Sequence, residues 1–174
     1  MLNGFRQKLT RRLRHLHSGA GVGEKLFPQD VLDHITSAIA EGESTHRGEV
    51  RLIVESSLPG ELIWAGVTDR ARALDLFAEH GIWDTEDNCG VLVYVNLADH
   101  KVEIVADRAI NRKVAHAQWQ AICDAMTQGF RRGEYGRSTL AAIEQVNALL
   151  REHFPADGSR GPDINELPNQ PVMI

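Results

Sequence analysis

Two short apolar runs separated by a polar step constrain the fold of this chain more than any other feature. The runs cover residues 91–97 and 102–106, and the step between them contains Asp99 and His100. This pattern predicts a β-hairpin. A two-residue turn at Asp99 and His100 would pair the last residue of the first run with the first residue of the second, and it would place the apolar pairs on one face. The open end of the hairpin would then bring Asp107 toward the loop that precedes the first strand.

The remaining periodic segments predict helices around this hairpin. Apolar residues recur at helical spacing over approximately 29–42, 69–80, 115–131 and 139–154, and they alternate over 49–55 as in a strand. These helices are too many to share one face of so small a sheet. We therefore expect an α/β protein, a three-layer α/β/α sandwich in which helices flank a small mixed β-sheet that contains the hairpin.

The predicted strand at 49–55 has two unlike sides. Val50, Leu52 and Val54 lie on one side, whereas the other side includes Glu49 and Glu55. A half-charged side indicates that this part of the strand lies near solvent or near a functional site. Residues 56–68 show no clear period and predict a loop or a short irregular strand.

The charge of the chain is unevenly distributed. Residues 1–17 contain five basic residues and no acid, whereas the other residues contain 14 basic and 24 acidic ones. An acidic body repels phosphate backbones at long range, so nucleic acid is not an expected partner. Gly19, Gly21 and Gly23 indicate a linker after the basic segment.

The basic N-terminal segment leaves three alternatives open. Its five apolar residues recur every three or four positions, which is typical of an amphipathic helix. Such a helix could lie on an anionic membrane surface, pack on the body of the protein, or belong to a partly ordered arm. The segment lacks the apolar core of a secretory signal, and no apolar run approaches the roughly 20 residues that span a bilayer. The sequence therefore predicts a cytoplasmic protein, and the membrane alternative makes it peripheral at the inner face of the membrane.

Oxygen-bearing side chains gather at the open end of the hairpin. Four lie within five residues of one another, and the hairpin adds a fifth: Asp84, Glu86, Asp87, Asn88 and Asp107. Calcium and magnesium prefer such oxygen ligands, and a cation relieves the repulsion between neighbouring carboxylates. The sequence predicts a divalent cation, calcium or magnesium, at this loop. The alternative is an acidic surface loop in which Asp87 or Asn88 makes a turn to its own backbone.

A phosphatase would use the same acids. The metal would polarise a phosphoryl oxygen, a carboxylate would orient water, and arginines would clamp the phosphate. The candidate phosphate-binding residues are Arg51, Arg70 and Arg108, although each is also a typical surface ion-pair partner.

Several segments, in this order and spacing, resemble the TPM domain family. They are GEVRLIVE (48–55), RARALDLF (70–77), DNCGVLVYV (87–95), DHKVEIVADRAIN (99–111), WQAICDAMTQGFRRGEYGRSTLAAIEQVNALLREHFP (119–155) and DINELPN (163–169). The chain is most similar to the short, soluble bacterial branch without signal peptide or membrane anchor. The corresponding division is a basic N-terminal segment and glycine-rich linker at 1–24, a TPM domain at 25–157 and a C-terminal tail at 158–174 with little regular structure.

The resemblance implies an α/β/α sandwich, divalent cation binding as in some members, and the acid phosphatase activity proposed for plant thylakoid-lumen relatives. Family roles range from photosystem repair to association with membrane receptors, so the fold transfers better than the function. Three functions follow as expectations. The first is a binding or accessory module that takes calcium or magnesium at the acidic loop, the second is a metal-assisted acid phosphatase, and the third is a membrane-surface adaptor that acts through residues 1–17. The expected partners are thus a metal ion and an anionic membrane surface or membrane protein.

Overall fold

The structure, a computed structural model, describes Thr10, Arg11, His15 and residues 21–156 and 165–174. Its helices, in chain order, are α1 (Val22–Leu26), α2 (Gln29–Glu43), α3 (Gly60–Ala65), α4 (Asp69–Glu79), α5 (Arg108–Asn111), α6 (His116–Arg131) and α7 (Tyr135–His153). Its strands are β1 (Glu49–Glu55), β2 (Gly90–Asn96), β3 (Lys101–Ala106) and β4 (Val172–Met173).

The four strands form one mixed sheet in the order β3-β2-β1-β4. Strand β1 lies parallel to β2 and to β4, and β2 pairs with β3 in the antiparallel sense as a hairpin. The predicted mixed sheet with a hairpin is therefore confirmed. Because β1 and β2 are parallel, their carboxyl ends lie together at one end of the sheet. Their amino ends lie together at the opposite end, where the acidic loop leads into β2.

The predicted register of the hairpin is wrong by two residues. Val95, not Leu97, lies opposite Val102, so residues 97–100 form the turn. The reason is that Leu97 belongs to another partner, because its N–H donates to the Glu55 carbonyl group at the end of β1 (3.0 Å). His100 closes the longer turn in the left-handed region, at φ 51°. A shift of two residues preserves the face on which every side chain lies, so the predicted apolar face is retained.

Helices cover both faces of the sheet. One face, with Val50, Leu52 and Val93 among its residues, packs against α2, α6 and α7 in the larger core. The other face contributes Leu92 and Tyr94 to a smaller core beneath α4. These layers confirm the predicted three-layer α/β/α sandwich.

Two helices occupy segments for which the sequence predicts a linker or a loop. Helix α1 lies within the glycine-rich stretch, and α3 lies where the apolar period lapses. Both are short, and α3 buries none of its residues, so neither carries the apolar stripe by which a sequence reveals a helix.

Helix α7 begins at Tyr135, earlier than the predicted start near residue 139, for which Ser138 or Thr139 would be the cap. The Ser138 hydroxyl donates instead to the Glu134 carbonyl group within the first turn (2.6 Å). Tyr135, the first helical residue, stacks on Phe130 with ring centroids 4.8 Å apart and meets Phe27 edge-on. This aromatic contact fixes the turn between α6 and α7 and explains the early start.

The C-terminal segment contributes more structure than the predicted irregular tail. Val172 and Met173 form β4 along the outer edge of β1. The Arg51 guanidinium donates to the carbonyl groups of Pro168 and Gln170, which holds the approach to this strand. The sequence gives no signal for β4, because a two-residue strand is too short to show a period.

The sequence predicts no bilayer-spanning segment and an amphipathic helix near the N-terminus, and both predictions extend beyond the described residues. No helix in the described ranges combines the length and apolar character needed to cross a bilayer. Of residues 1–17 only Thr10, Arg11 and His15 are described, so most of the predicted amphipathic helix lies outside the described residues.

Candidate functional site

The acidic loop is a tight turn at the amino end of β2. Thr85 is buried, and its hydroxyl accepts a hydrogen bond from the Cys89 N–H (2.9 Å). The Asn88 N–H donates to the Thr85 carbonyl group (3.0 Å), and Asn88 has a φ of 53°. Asparagine tolerates this left-handed conformation better than most residues, which explains its place in the turn.

The hairpin delivers Asp107 to this loop. The Asp107 N–H donates to the Gly90 carbonyl group at the start of β2 (2.9 Å). The sequence places Asp107 opposite Leu92, so the two-residue shift in register moves it closer to the loop. Asp107 is only 6% exposed, whereas Asp84 and Glu86 are exposed.

Two residues of the acidic loop contact distant parts of the protein. The Asp87 carboxylate lies 3.2 Å from the Arg47 guanidinium. The Glu86 N–H donates to the Glu166 carboxylate of the C-terminal segment (3.0 Å). The basic charge of Arg47 relieves part of the repulsion that a cation was expected to relieve.

Asp107 has one carboxylate oxygen that is buried with neither a hydrogen-bond nor an ion-pair partner among the described residues. Its Oδ1 accepts the Arg108 N–H at the start of α5 (2.6 Å). Its Oδ2 is buried and has no hydrogen-bond partner among the described residues. A buried carboxylate oxygen without a donor is costly, and a bound cation is one way to satisfy it.

The five predicted ligands do not form one group of acids. No group of three or more Asp, Glu, His or Cys side chains in the described ranges is placed to hold a metal ion. These side chains supply the oxygen atoms that calcium and magnesium prefer, and the Asp107 carboxylate is suited to serve as one ligand. Further oxygens would have to come from Asn88, Asp87, backbone carbonyl groups and water.

The three candidate arginines lie at different places. Arg51 binds the C-terminal segment, and burial lowers the pKa of its guanidinium. Arg70 donates to the Ile104 carbonyl group on β3 (2.6 Å) and lies 3.6 Å from Glu103. Only Arg108 adjoins the acidic loop, with its Nε 4.0 Å from Asp107 and its side chain 82% exposed. The structure does not bring the three together as a phosphate clamp.

A second polar cluster, which the sequence predicts only in outline, lies at the carboxyl end of the sheet. Its core is Glu55, only 2% exposed at the end of β1. The Tyr94 hydroxyl donates to one oxygen of Glu55 (2.6 Å), and Arg72 from α4 donates to both oxygens. Burial, and then the charge of Glu55, raises the pKa of the Tyr94 phenol far above its ordinary value. The half-charged side of β1 was the sequence signal for this cluster.

The N-terminal segment extends this cluster. Arg11 donates from Nε to Asp99 in the hairpin turn (2.6 Å), and its guanidinium lies 3.8 Å from Asp69. The Nε2 atom of His15 lies 3.1 Å from the same Asp99 carboxylate. Asn96 links the two acids, because it donates to Asp69 (2.7 Å) and accepts the Asp99 N–H (3.1 Å). Each acid has a basic or amide partner, so the cluster holds elements together.

Comparisons with known proteins agree with the fold. The family model described as the TPM domain matches residues 23–149. The chain is also similar to the BA42 protein from the psychrophilic bacterium Bizionia argentinensis, whose NMR structure superposes with a TM-score of 0.70 at 27% sequence identity, over 83% of this chain and 92% of that one. A search of curated proteins finds no match. Because the family model covers most of the chain, from α1 into α7, this protein belongs to the TPM domain family.

Proposed function

We propose that this TPM-domain protein is a binding or accessory module that takes a divalent cation, calcium or magnesium, at its acidic loop. One observation carries the proposal. The Oδ2 atom of Asp107 is buried beside the start of β2 without a hydrogen-bond partner among the described residues. Asp107 would be the central ligand. The bond from its N–H to the Gly90 carbonyl group brings it to the end of the loop that carries Asn88 and Asp87, which we propose as further oxygen donors.

The arrangement favours weak binding. Asp87 is shared with Arg47, and Glu86 and Asp84 are exposed, so few protein oxygens are committed to the ion. Calcium sites with few charged ligands have dissociation constants as weak as the millimolar range. We therefore expect millimolar affinity and a cation that keeps several waters.

Asp107→Asn should weaken cation binding without unfolding the domain. Asparagine is as good a helix N-cap as aspartate, so the bond to the Arg108 N–H is retained while the charge is lost. We expect the affinity for calcium and magnesium, measured by titration calorimetry of the metal-free protein, to fall by about tenfold or more, because the charge is lost. A tenfold fall corresponds to about 1.4 kcal/mol of binding free energy.

Asp75→Asn is the matched control. Asp75 is an exposed acid on α4, away from the loop, and its replacement changes the net charge by the same amount. The control should bind as the wild type does. Absence of binding by the wild type at millimolar cation, or equal binding by the Asp107 variant, would contradict the proposal.

The phosphatase remains a prediction from the family resemblance. Arg51 and Arg70 donate to backbone carbonyl groups, and they lie on different elements of the fold. We do not propose a phosphate clamp from them.

A further inference from the structure

A cavity of about 170 Å³ lies between helix α6 and the outer edge of strand β3. Strand β3 is the outermost strand on its side of the described sheet. The floor of the cavity consists of side chains that are 7% exposed or less, namely Val102, Ile104, Trp119 and Cys123. Its rim consists of charged and polar side chains from β3, α4 and α6. Pockets for drug-sized ligands measure roughly 300–1,000 Å³, so this cavity suits a smaller molecule.

Trp119 brings an unused hydrogen-bond donor to the floor of this cavity. Its side chain is buried, and its Nε1 atom has no hydrogen-bond partner among the described residues. Buried indole N–H groups usually find an acceptor, because a buried donor without one is costly. An acceptor atom of a bound ligand would meet this need.

The other polar groups of the floor are either occupied or chemically quiet. The Ile104 carbonyl group accepts a hydrogen bond from the Arg70 guanidinium (2.6 Å), and the Thr127 hydroxyl donates to the Cys123 carbonyl group (2.9 Å). Burial raises the pKa of the Cys123 thiol to about 12, so this thiol is neutral at physiological pH and is not a nucleophile. Backbone groups alternate in direction along an antiparallel strand, so the Val102 N–H faces the same outer edge as the Ile104 carbonyl group.

The rim of the cavity carries cations without ion-pair partners. Lys101 and Arg131 are exposed, and neither forms an ion pair with another described residue. The two acids of the rim are already engaged, because Glu103 lies 3.6 Å from Arg70 and Asp124 accepts a hydrogen bond from a side-chain amide of α6 (3.0 Å). Unpaired cations beside an unused N–H donor complement an anion.

We propose that this cavity binds a small organic carboxylate with a single negative charge. One carboxylate oxygen accepts the Trp119 indole N–H, and Lys101 and Arg131 supply the opposite charge at the rim. The cavity uses no residue of the acidic loop, so carboxylate binding needs no cation and does not rest on the proposed function.

The remaining walls favour this class of ligand over an inorganic anion. Val102 and Ile104 offer an apolar surface to a short hydrocarbon chain, which inorganic phosphate lacks. Glu103 and Asp124 repel a second negative charge, which phosphate carries in part at neutral pH. A short monocarboxylate satisfies both conditions.

The test is a titration of the isotopically labelled full chain with butyrate, followed by NMR in the presence of EDTA. The chain has three tryptophans, and the indole signal of Trp119 is the one that disappears in Trp119→Phe. We expect butyrate to shift this signal. Butyramide, its uncharged counterpart, should bind about tenfold more weakly, and inorganic phosphate at equal ionic strength should also bind more weakly than butyrate.

Two variants test the two parts of the site. Arg131→Gln should weaken butyrate binding by about threefold, as expected for an exposed ion pair. Arg132→Gln is the matched control, because this neighbouring arginine pairs with Glu134 (2.8 Å) and does not line the cavity. Trp119→Phe keeps an aromatic ring and removes the donor, so binding, followed on the Val102 backbone amide signal, should weaken by about fivefold.

Several results would overturn the proposal. The first is a Trp119 indole signal that does not move at high butyrate concentration. Equal binding of butyramide and butyrate would show that the charge has no role, and tighter binding of phosphate would exclude an organic carboxylate as the preferred ligand. Equal affinities in Arg131→Gln and Arg132→Gln, or an unchanged affinity in Trp119→Phe, would also contradict the assignment.

Discussion

At the scale of single residues, the burial of Glu55 is the most demanding feature of the fold. Its side chain is 3% exposed, and a carboxylate in that position must be paired and hydrogen-bonded to remain charged. Arg72 and Tyr94 meet this need from α4 and β2, so three elements converge on one carboxylate. Because this bond network crosses the smaller core, it fixes α4 relative to the sheet.

Replacement of Arg72 tests this interpretation. Arg72→Met would leave Glu55 buried and without its guanidinium, and loss of one partner of a buried pair costs about 3–5 kcal/mol. We expect a loss of this size in the free energy of unfolding in urea. Arg132→Met is the control, because Arg132 is 59% exposed in its pair with Glu134 and such surface pairs contribute about 1 kcal/mol or less. Equal losses in the two variants would show that the buried pair has no special weight.

The residues of the acidic loop show how far sequence reasoning reaches at this scale. The open end of the hairpin predicts the approach of Asp107, because strand pairing is local in sequence. The partners of Asp87 and Glu86, which are Arg47 and Glu166, come from distant segments. Neither hydrophobic periodicity nor a sequence motif predicts such pairings, because they depend on how the elements pack.

At the scale of elements, the entry to β2 depends on a close backbone approach. A Cβ atom on Gly90 would lie 1.9 Å from the Ile82 carbonyl oxygen, a distance that no relaxation of a side chain can relieve. Gly90 also accepts the bond from Asp107 that positions the candidate site. The glycine therefore allows the loop after α4, β2 and the end of β3 to meet.

Gly90→Ala should consequently be severely destabilising. We expect it to lower the free energy of unfolding by at least about 3 kcal/mol, in the upper range for single substitutions. Gly60→Ala at the start of α3 is the matched control, because a Cβ there meets no atom within 4 Å, and its effect should stay below about 1 kcal/mol. A Gly90→Ala protein as stable as the control in urea unfolding would refute the steric argument.

Elements with many periodic residues are predicted well, and short ones are not. Helices α2, α4 and α6 lie within a residue or two of their predicted bounds, because each carries an apolar stripe facing the sheet. The hairpin register is missed because a bond between Leu97 and β1 decides it. Strand β4 is missed because its pairing with β1, rather than its composition, makes it a strand.

At the scale of the whole molecule, Arg11 connects the N-terminal segment to the body. Its partner Asp99 has a side chain only 5% exposed. Burial alone would raise the pKa of the Asp99 carboxyl group, but hydrogen bonds from Arg11 and His15 outweigh burial and hold the pKa below its ordinary value. Burial, followed by the charge of Asp99, instead raises the pKa of Asp69. The two acids therefore change charge in different pH ranges.

The contribution of Arg11 to stability should depend on pH. A carboxyl group whose pKa is lowered by folding stabilises the protein above its unfolded pKa of about 4, and this stabilisation is lost as the pH falls through the folded pKa. At neutral pH, Arg11→Gln should cost about 1.5–3 kcal/mol, as expected for hydrogen bonds between charged groups. Asp69, with its raised pKa, is protonated first as the pH falls, and the difference in unfolding free energy between wild type and variant begins to shrink in that range. The difference decreases further when Asp99 is protonated at lower pH. Urea unfolding over a pH series measures this difference.

Arg137→Gln provides the comparison for that series. Arg137 is 82% exposed and pairs with Glu134 at 3.4 Å, so its replacement should cost about 1 kcal/mol or less at neutral pH. The loss of unfolding free energy in Arg11→Gln could instead stay constant from neutral pH down to a pH at which both acids are protonated. That result would refute the role of Asp99. A cost no larger than that of the control would show that Arg11 does not hold the segment to the body. The predicted decline in acid follows only if Arg11 acts through the buried carboxylates, because its contact with the Val67 carbonyl group does not titrate.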